Sequence, residues 1–310
     1  MTENRLKGCS RRLGLAALFL ALALPAMAAD QKQTMFATPE EAAKAIVDAA
    51  AKDDNAALMA ILGPEAEDVL SSGDEVADKA ALDRFAAAAK QATRLEKVGD
   101  TKVVINVGTD DWPMPIPIVK GADGWYFDTA AGEDEIINRR IGQNELGAID
   151  VCRAYVQAQR EYAGKDRDGS GVLKFAQKVT SSPSKQDGLY WPVAAGGEVS
   201  PFGPLVADAI KEGYQKKGDQ PIPYHGYYFK VLREQGPHAP GGAYDYVING
   251  NMIAGFALVA WPAEWAVSGV MTFIVNQQGI VYQKDFGENT GDIVAKLTKY
   301  DPDSSWAKVQ

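Results

Sequence analysis

The most regular pattern of apolar residues in the chain runs from Ile141 to Gly164. Its apolar side chains recur at steps of three, four and seven residues, at Ile141, Ile149, Cys152, Val156 and Ala163. This period predicts a helix that buries one face. We expect the opposite face to be solvated. Its charged residues are Glu145, Asp150, Arg153, Arg160 and Glu161. Gly164 predicts the end of the helix, which at about 1.5 Å per residue would be roughly 30 Å long.

Beyond this helix the pattern changes to short segments with β-strand character. Four strands are predicted, at residues 226–232, 252–260, 269–275 and 280–284. Gln277-Gln278-Gly279 predicts the turn of a hairpin between the last two, and residues 204–214 predict a short helix. A long helix followed by antiparallel strands predicts an α+β domain at residues 141–306, with the sheet covering the apolar face of the helix.

The segment before the long helix predicts a separate α+β domain, residues 34–131. Thr38-Pro39-Glu40-Glu41 is a capping box with proline at the first helical position. Asp54 or Asn55 caps a second helix, and an alanine-rich third helix follows. The period then changes, and strands are predicted at residues 94–98, 101–107 and 125–128.

Prolines alternate with apolar residues between Trp112 and Ile118, which predicts a strand at a sheet edge or across a bulge. We expect its apolar face to be buried, at Trp112, Met114, Ile116 and Ile118. Helices followed by a curled antiparallel sheet resemble the cone-shaped fold of nuclear-transport-factor-like domains. That resemblance concerns the fold and implies no active site.

The composition of the first residues predicts the compartment in which the protein is located. The chain has 310 residues, and four basic residues precede an apolar run at residues 13–24 that ends in small residues at Ala26 and Ala28. This pattern predicts a secretory signal peptide, residues 1–28, cleaved near Ala28. The run is shorter than the ~20 apolar residues of a spanning helix, so we expect a periplasmic or secreted protein with no stable membrane anchor after cleavage. An uncleaved anchor is the alternative, and Ser10-Arg11-Arg12 leaves general and twin-arginine export both open.

The net charge and the cysteine content limit the classes of partner and of chemistry that the protein can have. The formal net charge is −9, and loss of residues 1–28 removes four basic residues and one acidic residue, which moves it to −12. An acidic exported protein is a poor partner for nucleic acid or an anionic membrane. Cys9 leaves with the signal, so Cys152 remains alone and no intrachain disulfide can form. Cys152 is either a small buried hydrophobe or a reactive thiol.

A calcium site is one candidate for chemistry. Asp166, Asp168 and Ser170 stand at positions 1, 3 and 5 of a calcium loop that follows a helix. Position 12 is Gln177, which lacks the bidentate carboxylate, so bound calcium would have an affinity of about 10⁻⁴ M or poorer. The alternative is a turn rich in aspartate and glycine that closes the helix. No other cofactor is indicated.

Histidine chemistry is limited to two residues, His225 and His238, which excludes a histidine-rich zinc site. A catalytic site would use His225 with a carboxylate such as Asp245 or Glu264, but the chain has no G-x-S-x-G nucleophile elbow. His225 is alternatively a residue of a strand edge. His238 lies in the loop at residues 236–242, which is either a binding edge or a connection.

Aromatic residues offer a third kind of site. Several could form a platform for a glycan or a peptide, namely Trp191, Trp261, Tyr224, Tyr227 and Tyr244. The alternative is that these large side chains fill the core beside the long helix.

Two further resemblances concern whole families. Residues 144–162, 225–231 and 268–276 resemble the globular part of type IV pilins and pseudopilins, although a pilin helix begins with a membrane-embedded segment. Residues 125–147, 188–192, 223–228, 239–246 and 255–262 resemble a family of secreted bacterial proteins known as domain of unknown function 2950. That resemblance implies a fold and a compartment but no activity.

Taken together, these patterns favour an exported, non-enzymatic binding or assembly factor of the cell envelope, with an envelope protein or glycan as partner. The alternative is an envelope hydrolase or transferase that uses His225 with a nearby carboxylate. A minor pilus-like subunit is the third class, and it would need a partner that supplies the missing membrane helix.

Overall fold

The computed structural model describes residues 33–193, 196–215 and 221–310. The predicted signal peptide, residues 1–28, lies outside these residues. The fold is α+β, as predicted, with helices and several antiparallel sheets. Within the described ranges, no helix has both the length and the apolar composition that a membrane crossing requires.

Three of the first four helices in the described residues start at side-chain caps. Thr38 Oγ1 accepts a hydrogen bond from the backbone N–H of Glu41 (3.1 Å), and Asp54 and Asp74 cap the second and last of these helices in the same way. Each cap satisfies an otherwise unpaired N–H in the first turn. The four helices are α1 Pro39–Ala51, α2 Asn55–Leu62, α3 Glu67–Leu70 and α4 Glu75–Gln91.

A curled sheet follows, with β1 and β2 paired antiparallel as predicted, Arg94 opposite Asn106. The proline-rich segment differs from the prediction because its only strand is two residues long. Its prolines lack the N–H groups that a ladder needs, and the chain rejoins the sheet only at Ile118. Met114, Ile116 and Ile118 are buried as predicted, but Trp112 is 42% exposed. The strands are β1 Thr93–Lys97, β2 Lys102–Val107, β3 Trp112–Pro113, β4 Ile118–Lys120 and β5 Trp125–Phe127.

The long helix, α5, spans Glu133–Ala163 and ends before Gly164, as predicted. It starts eight residues earlier than expected, where three acidic residues occupy its first turn and complement the helix dipole. Gly132 precedes it because a Cβ there would lie 2.5 Å from the Pro115 carbonyl. The predicted solvated face is wrong at Glu145, whose carboxylate accepts hydrogen bonds from the backbone N–H groups of Val270 and Met271.

The apolar face of α5 lies against a five-stranded sheet with the order β15-β13-β12-β11-β6. The predicted hairpin is confirmed, since Met271 in β12 pairs with Asp285 in β13. The predicted strand at residues 252–260 is interrupted, because the N–H groups of Ile253 and Ala254 both donate to the Tyr246 carbonyl. The elements are α6 Gly203–Glu212, β6 Tyr227–Leu232, β7 Glu234–Gln235, β8 Tyr244–Asp245, β9 Val247–Ile248, β10 Asn251–Met252, β11 Ala257–Pro262, β12 Met271–Asn276, β13 Tyr282–Asp285, α7 Thr290–Lys296, β14 Lys299–Tyr300 and β15 Ala307–Lys308.

The described residues form two hydrophobic cores. One lies between α1, α2 and the first sheet, and the other lies between α5 and the second sheet. In the second core Tyr155 meets Phe202 and Phe256 edge to face, with ring centroids 6.4 and 5.6 Å away. The predicted domain bounds, residues 34–131 and 141–306, stay a prediction.

Candidate functional site

Helix α4 has few fully buried residues for its length. Only Ala89 among its seventeen residues is buried, and its larger apolar side chains, Val76, Leu82 and Phe85, are half-buried. Alanines at positions 77, 80, 81 and 88 are too small to fill the space beside the helix. Interiors are normally packed without voids larger than a water molecule, so this open flank is a feature to explain.

The space along α4 forms two depressions with common walls, together called the α4 cleft. Their volumes are about 780 and 900 Å³, within the ~300–1,000 Å³ range of small-molecule sites. Most shared wall residues are apolar and come from α3, α4, β3 and the first turns of α5. The residues that line both depressions are Val69, Val76, Asp78, Ala80, Ala81, Phe85, Trp112, Ile136, Arg140 and Glu212.

Arg140 is the one cation among the described residues that line both depressions, beside the carboxylates of Asp78 and Glu212. Its guanidinium donates to the carbonyls of Asp68 (2.6 Å) and Val69, at the C-terminal end of α3, where a cation is favoured. Two of its five N–H donors are thereby used, and it forms no ion pair with a carboxylate among the described residues. Burial lowers the pKa of Arg140, while the charges of Asp78, Asp68 and Glu264 oppose that shift.

Two other cations near the cleft, Arg139 and Lys79, have carboxylate partners. Arg139 pairs with Glu135 at 2.6 Å and lies over the Trp112 ring, 5.4 Å from its centroid. On the other side of α4, Lys79 pairs with Asp83 at 2.9 Å and with Asp53 at 3.6 Å. Arg84 is exposed and lines only one depression, so Arg140 is the half-buried cation that lines both depressions and keeps unused N–H donors.

A buried polar cluster closes one end of the cleft. Asp74, which is 2% exposed, accepts hydrogen bonds from the Tyr214 hydroxyl (2.9 Å) and the Gly226 N–H (2.8 Å). The Tyr214 oxygen in turn accepts from the His225 N–H at 3.1 Å. Burial raises the pKa of Tyr214, so its hydroxyl stays protonated as a donor. The cluster ties the start of α4 to the start of β6.

His225 lies at the rim of this cluster with a carboxylate partner that the sequence did not predict. Its Nε2 is 3.1 Å from Glu212 at the end of α6, and its ring packs edge to face on Tyr224, with centroids 4.2 Å apart. Its backbone has φ of +49°, a left-handed conformation in which histidine is enriched among non-glycine residues. Tyr224 is half-buried, and burial raises its pKa to about 12.

The two predicted carboxylate partners lie in different places. Glu264 follows β11 near His225, because the Ala263 N–H donates to the Gly226 carbonyl at 2.8 Å. Asp245 is exposed and pairs with Glu234, beyond the opposite end of β6 from His225. No catalytic triad follows from this arrangement, because the nearby hydroxyls of Ser72 and Ser268 already bind Asp78 and the Glu264 backbone.

The predicted calcium loop is occupied by the protein's own groups. Asp166 accepts hydrogen bonds from the backbone N–H groups of Asp168, Gly169 and Gly171. The Lys174 ammonium donates to Asp168 (2.5 Å) and to Ser170 (3.3 Å). In the part of the chain that is described, no three His, Cys, Asp or Glu side chains are grouped to hold a metal ion. This geometry favours the closing turn, and calcium binding stays a prediction.

The remaining candidates are dispersed. Trp191 and Tyr227 are buried, which favours the core interpretation for both, while Tyr244 is exposed and contacts Tyr246. Trp261 pairs with Tyr228 across the strands, 5.6 Å between centroids. None of the five predicted platform residues makes a ring contact with another in the described structure.

Two polar residues outside the cleft have defined local roles. His238 Nδ1 lies 3.0 Å from Asp301, whose hydrogen bond and charge raise the pKa of His238 and hold the 236–242 loop to the C-terminal segment. Cys152 is fully buried, and burial raises the pKa of its thiol to about 12. Its surroundings therefore favour the interpretation as a small hydrophobe over that as a reactive thiol.

Sequence reasoning missed the residues that define the cleft: Asp74, Arg140, Glu212 and Tyr214. In the sequence, Asp74 has the pattern of an ordinary helix cap. Its hydrogen bond with Gly226 could not be predicted, because the two residues are 152 positions apart. The available signal was compositional, since α4 carries alanines on several faces instead of a continuous stripe of large apolar residues.

These features define an α+β protein with a small-molecule-sized cleft and no recognised catalytic constellation in the residues described. The chain belongs to the family described as "Protein of unknown function (DUF2950)", whose model matches residues 33–309. No curated protein and no solved structure matches it. The resemblance to pilins thus stays a prediction.

Proposed function

We propose that this is an exported, non-enzymatic binding protein of the cell envelope that holds a small amphipathic ligand in the α4 cleft. The observation that supports this most is the cleft itself: half-buried apolar side chains around a guanidinium with unused donors. An exposed apolar surface of this kind commonly marks a binding site. The signal-peptide pattern of residues 1–28 supports the periplasmic or secreted location.

A neutral fluorescent probe such as N-phenyl-1-naphthylamine tests the proposal directly. We expect its emission to rise on binding to the mature protein and a co-purified amphiphile to displace it. Ala80 lines both depressions, so Ala80→Phe fills the space and should weaken binding by about tenfold or more. Ala87→Phe is the matched control, because Ala87 is exposed on the same helix and lines neither depression.

The outcomes separate a cleft ligand from nonspecific adsorption. Equal binding by both phenylalanine variants would place the probe elsewhere and contradict the proposal. Thermal unfolding of each variant shows whether an effect on binding comes from loss of structure. Trp112, 42% exposed at the wall of the cleft, gives a second readout, since Trp112→Phe should remove the ligand-dependent part of the tryptophan signal.

The alternative function, an envelope hydrolase or transferase, is supported by the 3.1 Å distance between His225 Nε2 and Glu212. A carboxylate at that distance would orient the imidazole as a base. The mature protein and His225→Gln should then be incubated with peptidoglycan fragments and envelope lipids, with mass spectrometry of the products. Turnover that requires His225 would establish this alternative, and its absence in both proteins leaves the binding function as the better account.

A further inference from the structure

The charge of the α4 cleft restricts the ligand further. Resting on the proposed function, we infer that the cleft binds a single-chain carboxylate, an alkyl chain with one negative head group, and that Arg140 holds the head group. The chemistry is that of a fatty acid. The inference depends on three observations: the unused donors of Arg140, the apolar walls beside it and the acidic residues around it.

Arg140 is half-buried and uses two N–H donors on backbone carbonyls. Its other three N–H groups make no hydrogen bond to the described residues, although they belong to a planar fork that matches the two oxygens of a carboxylate. Half-burial removes part of the hydration of this cation, and no carboxylate among the described residues lies in direct contact with it. An anionic ligand would supply that contact.

The walls next to Arg140 fit an alkyl chain. Ile136 is one turn before Arg140 on α5, and Val69 is the α3 residue whose carbonyl accepts a hydrogen bond from Arg140. Val76, Ala80 and Phe85 face them from α4. These side chains are half-buried, so an alkyl chain that covers them would bury further apolar surface.

The carboxylates around Arg140 favour a ligand head group with one negative charge over a head group with two. Asp78, Asp68 and Glu264 act on Arg140 through their charges. At the start of α5, burial and the acidic neighbours Asp68 and Asp134 raise the pKa of Glu133. These carboxylates oppose any anion, but they oppose a dianionic phosphate about twice as strongly as a monoanion, whose one charge is matched by Arg140.

Displacement of the neutral probe by a matched set of ligands tests the inference. We expect dodecanoate to displace the probe at about tenfold lower concentration than dodecanol, and acetate to have no effect because it lacks the chain. Arg140→Gln should abolish the difference between dodecanoate and dodecanol while dodecanol binding stays unchanged. Arg153→Gln is the matched control, since Arg153 is exposed on the same helix and lines neither depression.

Each other result has a defined meaning. If dodecanol and dodecanoate bind equally to the wild-type protein, the carboxylate inference is overturned while the proposed function stands. If neither they nor the probe bind, the proposed function fails. Dodecyl phosphate binding more tightly than dodecanoate would overturn the choice of a monoanion.

One measurement keeps the test independent of the variants. If Arg140→Gln does not fold, because it has lost the bonds to α3, the wild-type protein still provides the answer through salt. The advantage of dodecanoate over dodecanol should shrink as ionic strength rises, because exposed parts of the pair are screened. An advantage that salt leaves unchanged, together with a folded Arg140→Gln that keeps it, would show that Arg140 serves only as a cap for α3.

Discussion

Replacement of Asp74 by alanine tests whether the polar cluster ties α4 to the second sheet. Asp74 Oδ1 accepts from the Ala77 N–H (3.1 Å) as a helix cap, and Oδ2 accepts from the Tyr214 hydroxyl and the Gly226 N–H. Asp54 provides a matched control. It caps α2 through the Ala57 N–H at 3.0 Å, but it is exposed and its carboxylate makes no further hydrogen bond in the described structure.

The structure sets the expected difference between the two substitutions. Loss of the cap alone costs about 1 kcal/mol, so Asp54→Ala should lower the free energy of unfolding by that amount. Asp74→Ala also leaves the Tyr214 hydroxyl and the Gly226 N–H buried without an acceptor, at about 1–3 kcal/mol each. Removal of a buried carboxylate recovers part of its desolvation cost, so we expect about 3 kcal/mol in total, the low end of that range.

Urea unfolding followed by circular dichroism measures both variants. Asp74→Ala should shift the midpoint to lower urea with an unchanged slope, since the surface exposed on unfolding is the same. Tyr214→Phe alone should also destabilise, but it should cost less in the Asp74→Ala background, because its partner is already gone. If Asp74→Ala costs no more than Asp54→Ala, the cluster does not tie the two parts together and the reasoning fails.

Three further predictions concern single sites. The Cys152 thiol, buried and with its pKa raised to about 12, should not react with a disulfide reagent at pH 8 until denaturant is added; stoichiometric reaction of the native protein would contradict this. Although burial acts to raise the pKa of Asp187, hydrogen bonds from Lys178 and Ser182 lower it to about 2. Its contribution to stability should therefore be complete above about pH 4 and be lost as pH falls towards 2, which a carboxyl NMR titration checks. Calorimetry should detect calcium binding only after Lys174→Gln frees Asp168; millimolar binding by the wild-type protein would show instead that calcium displaces the ammonium.

The elements of the fold followed from local patterns. A few adjacent residues were enough to predict the helix caps at Thr38 and Asp54 and the helix end at Gly164. The structure has a helix boundary at each of these positions. The first turns of α5 escaped prediction, because residues 133–140 are mostly polar and have no apolar period. Their helix is stabilised by acidic residues at its start and by Arg140 contacts with α3, a segment more than 60 residues earlier.

The α4 cleft could not be predicted in the same way. It is formed by small side chains that leave space unfilled and by residues that are far apart in the sequence. His225 drew attention as one of two histidines, but its partner is Glu212, which precedes a glycine at the end of a helix and carries no motif. Trp112 was expected inside on the basis of strand alternation. Prolines ended that alternation, which left the ring at the wall of the cleft, under Arg139.

The packing of α4 predicts that residues at its two ends contribute to stability, whereas residues in its middle contribute to ligand binding. Its N-terminal end is fixed by Asp74, and its C-terminal end is fixed by the Gly108 N–H, which donates to the carbonyls of Ala88 (3.1 Å) and Ala92 (3.0 Å). Between these ends the alanines leave its flanks open. Substitutions at the two ends should therefore reduce stability, whereas substitutions in the middle should change ligand affinity with a small effect on unfolding.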